Sequence, residues 1–233
     1  GGGDLVIDSI KERTLKRYPR ADVVITDAKN DPVNADLSLL GIRIKFKKSL
    51  QLAKPGQTVL FSATPCGSFS HCSGRQLRSK AHIMDGVYGL TTEETTFLKR
   101  HNKFTTFTIE CLEYCDAHGI DWGVECSPDR SDATTDAYWP QYKDWASFWD
   151  IKRVKDLLKG GAKTYLVARC RNEDPVAAQK YYQFMFSKGL LKAADEVLSY
   201  QTCIHGSHPL LVRGKTSDGF WVSQQLEEYP PEL

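Results

Sequence analysis

The sequence predicts an α/β fold, on three observations. Short apolar runs of strand length recur at Ala21–Asp27, Val59–Ala63, Ile120–Cys126 and Ala162–Ala168, each bounded by polar or turn-forming residues. Between the second and third runs lies one long stretch in which Phe97, Phe104, Phe107, Cys111 and Cys115 recur near a period of 3.6. No internal repeat or low-complexity segment interrupts this alternation of strand and helix, which builds one layered domain.

In chain order, Leu5 to Tyr18 has apolar residues at Leu5, Val6, Ile10 and Leu15 among charges, close to helical spacing. Leu5-Val-Ile7 also reads as a short strand of its own. Pro19 stops this segment, and Ala21–Asp27 follows as a buried strand ending in an acid. Residues 28–36 form a loop broken by Asn30-Asp31-Pro32. Leu37 to Leu52 mixes apolar and basic residues and predicts at most a partial helix. Lys54-Pro-Gly-Gln57 turns into the strand Val59–Ala63, which Thr64-Pro65 ends. Gly67 to Gly89 reads as one long loop of polar and small residues, a length associated with function. Thr91 and Glu94 have capping-box spacing at the start of the long helix, and Gly119 ends it. After the strand Ile120–Cys126 comes an aromatic-rich segment holding Tyr138, Trp139, Tyr142, Trp145, Phe148 and Trp149, which reads as core or as a base-stacking surface. Beyond the Gly160-Gly161 turn, Ala162–Ala168 is a strand and Asp174 to Lys188 a helix with aromatics on one side. Lys192 to Ser199 is a short helix, and Leu210 to Val222 is a hairpin turning at Ser217-Asp218-Gly219.

With 41% apolar and 26% charged residues among 233, the composition is that of an ordinary globular protein with one sizeable core. No apolar run approaches the roughly 18 residues of a membrane span, and Gly-Gly-Gly-Asp-Leu5 lacks the basic-then-apolar order of a secretory signal. The net charge of +2 does not announce a nucleic-acid binder. Cations nevertheless cluster at Lys11–Arg20, at Arg43–Lys48 and at Lys152–Lys163, as solvated helix faces or as polyanion contacts. Seven cysteines, odd in number and irregular in spacing, predict reduced thiols and an intracellular setting, cytoplasmic or nuclear.

Thr64-Pro-Cys-Gly-Ser-Phe-Ser70 presents Cys66 just past the end of a strand, where α/β sheets hold functional groups. A cysteine there is either a nucleophile or a buried small hydrophobe. Around it stand the glycine triplet Gly1-Gly2-Gly3, the acids Asp27 and Asp36, and the strand-end Glu125. A glycine loop with a downstream acid is a pattern that binds adenosine-type cofactors. The same residues also read as a linker and as turn formers. Cys203, His205 and His208, with Cys66, Cys72 or His71, have spacing a metal can use. No Cys-x-x-Cys pair accompanies them, so a turn with satisfied histidines is favoured and no metal is predicted.

The run Thr64-Pro-Cys-Gly-Ser-Phe-Ser70 resembles the Pro-Cys nucleophile motif of the cytosine-5 methyltransferases, and Val124-Glu125 stands where that family has the Glu of its Glu-Asn motif. The likeness is closer to a shortened variant found in protists, fungi and mobile elements. Leu77-Arg-Ser79, Glu125-Cys-Ser-Pro-Asp-Arg-Ser131, Cys203-Ile-His205-Gly-Ser-His208 and Tyr229-Pro-Pro-Glu-Leu233 match it in order. The resemblance implies a Rossmann-like, mostly parallel sheet flanked by helices in a single domain over 1–233, with no large target-recognition domain. A cofactor and catalytic half would cover about 1–135, and a small half over 136–233 would complete the sheet. It implies S-adenosylmethionine as cofactor, held by Gly1, Gly3, Asp27 at the ribose and Asp36 near the adenine. Cys66, presented by Pro65, would add as thiolate to ring carbon 6 of a cytosine, and Glu125 would hold the base. The base would be flipped out of its stack, with Ser68, Arg75, Arg78, Lys80 and Lys163 contacting DNA or RNA.

The chain departs from that pattern at Thr64, which replaces a Pro, and at Cys126, which replaces the Asn. It also lacks an aromatic-x-Gly-x-Gly strand and loop before the first helix. These departures support a second reading, a catalytically degenerate methyltransferase-like domain that binds nucleic acid or a protein partner. A third reading is a cysteine hydrolase that pairs Cys66 with His71 or His205.

Overall fold

A computed structural model describes residues 35–70, 75–168, 170, 180–198 and 203–204, together with 15–17, 22 and 24. Gly1, Gly3, Asp27, His71, His205 and the expected C-terminal hairpin lie outside the described residues. Of the segment Leu5 to Tyr18, residues 15–17 are described and are helical.

Among the described residues, four strands form one open sheet: β1 (Val59–Ala63), β2 (Asp121–Cys126), β3 (Lys163–Ala168) and β4 (Tyr181–Phe186), in the order β1-β2-β4-β3. β1 and β2 are parallel, and β4 runs antiparallel to both β2 and β3. The expectation of a mostly parallel sheet is therefore corrected: the sheet is mixed, with one parallel pair. The cause is β4, which lies inside the stretch expected to be the helix Asp174 to Lys188. Tyr-Tyr-Gln-Phe-Met-Phe is rich in strand-favouring aromatics. It buries Tyr181 and Met185 on one side, and Tyr182 and Phe184 on the other. An alternating pattern filled on both faces suits a strand packed between two others, and a one-sided helix does not use it.

Among the described residues, four helices longer than a single turn accompany the sheet: α1 (Leu40–Gln51), α2 (Thr92–Ala117), α3 (Lys152–Lys159) and α4 (Leu191–Leu198). α1 is a full helix where only partial helix was expected. Its run Ile42-Arg-Ile-Lys-Phe-Lys47 alternates like a strand, but packing decides. Leu50 is buried and Phe46 meets Phe107 of α2 edge-on at 5.7 Å. The capping box of α2 forms as the sequence indicates, with Glu94 N donating to Thr91 Oγ1 at 3.2 Å and Thr91 N to Glu94 Oε2 at 2.8 Å. Gly119, at φ +66°, then turns the chain into β2.

One face of the sheet, with Trp122, Val124, Cys126 and Met185, packs with Leu112 and Cys115 of α2 and Val154 and Leu157 of α3 in the main core. The opposite face is closed over β3 and β4, where Leu198 of α4 lies on Val167, Tyr182 and Phe184, and is open over β1. Gly123 in β2 lets Phe61 and Phe186 lean over the middle strand, because a Cβ there would stand 2.7 Å from the Phe186 ring. The cations expected around Lys152–Lys163 are paired: Lys152 and Lys159 with Asp156, Lys155 with Asp150, Arg153 with Glu113 and Lys163 with Asp195. Among the described residues no helix is long and apolar enough to cross a membrane.

Candidate active site

The parallel register sets Ala63 opposite Glu125. One step further, Thr64 N donates to Glu125 O at 3.1 Å, so the two chains part only beyond this point. Thr64 is buried, its hydroxyl 3.3 Å from that of Thr108 on α2. Pro65 is exposed and ends the pairing, since it has no N–H to give. Cys66 opens a turn closed by Phe69 N donating to Cys66 O at 2.8 Å. Phe69 plunges into the core, edge-on to Phe148 at 6.1 Å. The turn is thus anchored on both sides, with the half-buried Cys66 thiol held between.

Glu125 shares a row of the sheet with Ala63 and Phe184 and so leaves on the open face. Its neighbour Cys126 points the other way, into the core, where burial first and then nearness to Cys66 push its thiol far above the ordinary value. The residue at the place of the family's Asn therefore does not reach the open side.

α2 lies beneath the turn. A Cβ on Gly67 would come within 3.2 Å of Phe97 and 3.3 Å of His101, so the position after Cys66 has little room. His101 lies beside the turn, its ring 4.0 Å from that of Phe97 centre to centre. Its Nδ1 is buried with no partner among the described residues. Burial, with the positive charges of Arg78 and Arg100, holds the His101 value below its ordinary one, against the pull of the Pro65 backbone. His71 and His205 lie outside the described residues.

Arg78 is 2% exposed. It donates to Ser68 Oγ at 3.0 and 3.2 Å, to Asn102 Oδ1 at 2.6 Å and to Ile83 O, with its guanidinium 4.1 Å from the centre of the Phe69 ring. Burial brings its value down to about 10. Two residues expected to touch phosphate, Arg78 and Ser68, are instead bonded to each other and fasten the turn to α2. Arg75 pairs with Glu94 at 3.0 Å. Lys80 is exposed, on the stretch that Lys80 N joins to Asp144 O at 3.2 Å. Lys163 opens β3 in the same row as Phe61, away from the end where Cys66 and Glu125 stand. Asp36 accepts from Ser38 N at 2.8 Å in the turn before α1, and the Ser38 side chain first, then its backbone N–H, hold the carboxyl below the ordinary value.

Two residues that the sequence did not single out belong to this end of the sheet. β4 runs antiparallel to β2, so Lys180, just before it, lies beyond the carboxyl end of β2. Its charge is felt at Cys66. Ser127, the first residue after β2, acts to lower the value of the Cys66 thiol. Its carbonyl accepts from Trp149 Nε1 at 2.8 Å. Burial is the largest influence on the Cys66 thiol and raises it, as does the charge of Glu125. Ser127, Lys180 and the turn's own backbone pull the other way, and the outcome is a thiol above its ordinary value. At rest, then, Cys66 is a protonated thiol at neutral pH.

Among the described residues no three His, Cys, Asp or Glu side chains are grouped to hold a metal. In comparisons with known proteins, no family model, no curated protein and no solved structure matches the chain.

Proposed function

We propose that the chain is a cytosine-5 methyltransferase-like domain acting on DNA or RNA, with Cys66 as nucleophile and Glu125 as the acid that holds the base. The observation that carries this reading is the parallel pairing of Ala63 with Glu125, from which the thiol-bearing turn and the carboxylate leave the same end of adjacent strands. The motif likeness adds the chemistry. A cytosine turned out of its stack would take the thiolate at carbon 6, forming a carbon–sulfur bond and shifting the 5,6 double-bond electrons toward carbon 5. Glu125 would bond the ring nitrogen and the exocyclic amine, sharing a proton with the ring nitrogen as charge builds there. Because the Glu125 charge opposes the thiolate in the free protein, engaging the base relieves that opposition when the thiolate is needed.

The methyl donor implied by the resemblance is S-adenosylmethionine. Of the residues assigned to it, Asp36 alone is described, its Oδ1 accepting from Ser38 N. The chemistry argued from the described residues ends at the carbon 6 adduct.

An oligonucleotide carrying 2-pyrimidinone, whose carbon 6 accepts a thiol without methyl transfer, tests the reading directly. The expected result is a covalent complex that Cys66→Ala abolishes. Absence of an adduct with every DNA and RNA form would overturn it. The resting protonated thiol and the internal use of Arg75 and Arg78 favour a second reading, a degenerate domain that binds nucleic acid without catalysis. It would show binding with no adduct.

A further inference from the structure

We propose that the face formed by α1 and the first half of α2 binds the sugar-phosphate backbone of a DNA or RNA strand. The inference rests on reading nucleic acid as the partner, and it moves the contacts to a new place. Four residues expected to touch nucleic acid are engaged within the protein. Arg78 is bonded to Ser68, Asn102 and Ile83, Arg75 pairs with Glu94, and Lys163 pairs with Asp195.

Two groups of cations differ in what surrounds them. On α3 every Lys and Arg has a carboxylate partner. α1 carries Arg43, Lys45, Lys47 and Lys48 and contains no Asp or Glu. On α2, Lys99 and Lys103 are exposed and stand four residues apart, about 6 Å along the axis. Of these six cations, Lys47 alone has a carboxylate partner among the described residues, Glu110 at 2.6 Å. Arg43 donates from Nη1 to Leu37 O at 2.8 Å and Ser38 O at 3.0 Å, bonds that leave its charge in place. Asp36, just before α1, accepts from Ser38 N. An excess of cations over carboxylates on one surface attracts a polyanion, whose binding releases counterions.

The shape of the face agrees with its charge. Arg43, Lys47 and Lys103 line a groove of about 430 Å³ between the two helices, and Leu40 and Ile44 are exposed on its α1 wall. Phosphate oxygens meet the cations there, and sugar rings lie on the apolar wall. The same turns of α2 reach the cysteine turn. His101, between Lys99 and Lys103 in sequence, would stand 3.3 Å from a Cβ on Gly67. The basic face is therefore separated from that turn by about the width of one helix, roughly 10 Å. A strand with one base turned out toward Cys66 has neighbouring phosphates within reach of this face.

Binding of fluorescein-labelled oligonucleotides, as single-stranded and duplex DNA and RNA, is measured by anisotropy from 50 to 300 mM salt. Lys99→Gln/Lys103→Gln is expected to weaken binding about tenfold at 100 mM salt and to reduce the log–log salt slope by about 1.5. Lys152→Gln/Lys159→Gln, which removes the same charge from α3, is expected to stay within about twofold of the parent. An unchanged affinity in the α2 variant overturns the proposal, as does equal weakening in the α3 variant. Absence of binding to all four nucleic acids also overturns it. In that case a labelled Glu-Leu repeat peptide, bound in a manner that requires Lys99 and Lys103, would assign the face to an acidic protein segment. If nucleic acid binds through this face and no adduct with 2-pyrimidinone forms, the methyltransferase reading fails and the basic face stands. If the adduct forms as fast in Lys99→Gln/Lys103→Gln as in the parent at limiting oligonucleotide, the basic face fails and that reading stands.

Discussion

On the face of the sheet that carries Glu125, the β3–β4 side has Val167 at 0% and Tyr182 at 4% exposure, while on the β1 side Val59 is 57% and Phe61 52% exposed. Both sides are built from aromatic and β-branched residues, so composition does not distinguish them. What differs is the covering: α4 lies on β3, held further by Lys163 and Tyr165 bonding Asp195 at 2.5 and 2.9 Å. The closed half supplies stability through apolar burial. On the open half Ala63 is exposed and Glu125 half-buried, while Cys66, beyond the same end of β1, packs against the main core. Stability and accessibility are divided between two halves of one sheet.

Cutting the same side chain on the two halves gives the largest expected difference. Phe184→Ala should cost about 3–4 kcal/mol in urea unfolding, and Phe61→Ala about 1 kcal/mol, since its ring is already half in water. Equal losses would erase the contrast. A smaller effect concerns the charge on the open half. Glu125→Gln should speed alkylation of Cys66 at pH 8 by about threefold, by removing a negative charge beside the developing thiolate, while preventing the carbon 6 adduct. A slower alkylation would break the proposed opposition between the two groups. The smallest effect lies under the turn. His101 is held below its ordinary value of 6.5, so the unfolded chain binds its proton more readily than the folded one. Stability is then in full above pH 6.5 and is lost as the pH falls through the lowered folded value. His101→Gln should flatten that acid limb in urea midpoints taken from pH 7 to 4. An unchanged slope would remove His101 from the account.

The β1–α2–β2 unit was legible because each of its signals is local: an apolar run stopped by Thr64-Pro65, a capping box at Thr91 and Glu94, a glycine at 119. The strand-end positions of Cys66 and Glu125 followed from these same signals. β4 was not legible. Its aromatics read locally as one face of a helix, whereas they fill both faces of a strand paired with β2 and β3. With β4 misread, Lys180 had no reason to stand near Cys66. Arg78 and Ser68 read as exposed contacts because nothing local to Leu77-Arg-Ser79 says that Asn102 and Phe69 will enclose that arginine. The link from Trp149, one of the aromatics the sequence marks as core or stacking surface, to Ser127 O was not legible for the same reason, since it spans twenty-two residues.

The antiparallel entry of β4 also orders events in time. During synthesis β2 is complete at Cys126, but its partner on the outer side begins only at Tyr181. A nascent chain at the intermediate stage carries Cys66 and Glu125 on a two-stranded parallel pair, with one side of β2 unfilled and the Phe184 wall not yet made. Parallel pairs with distant closing partners form slowly and expose a template for other chains. β4 thus acts as a lock on assembly: until it slides between β2 and β3, the thiol-bearing turn exists without the sheet that holds it steady.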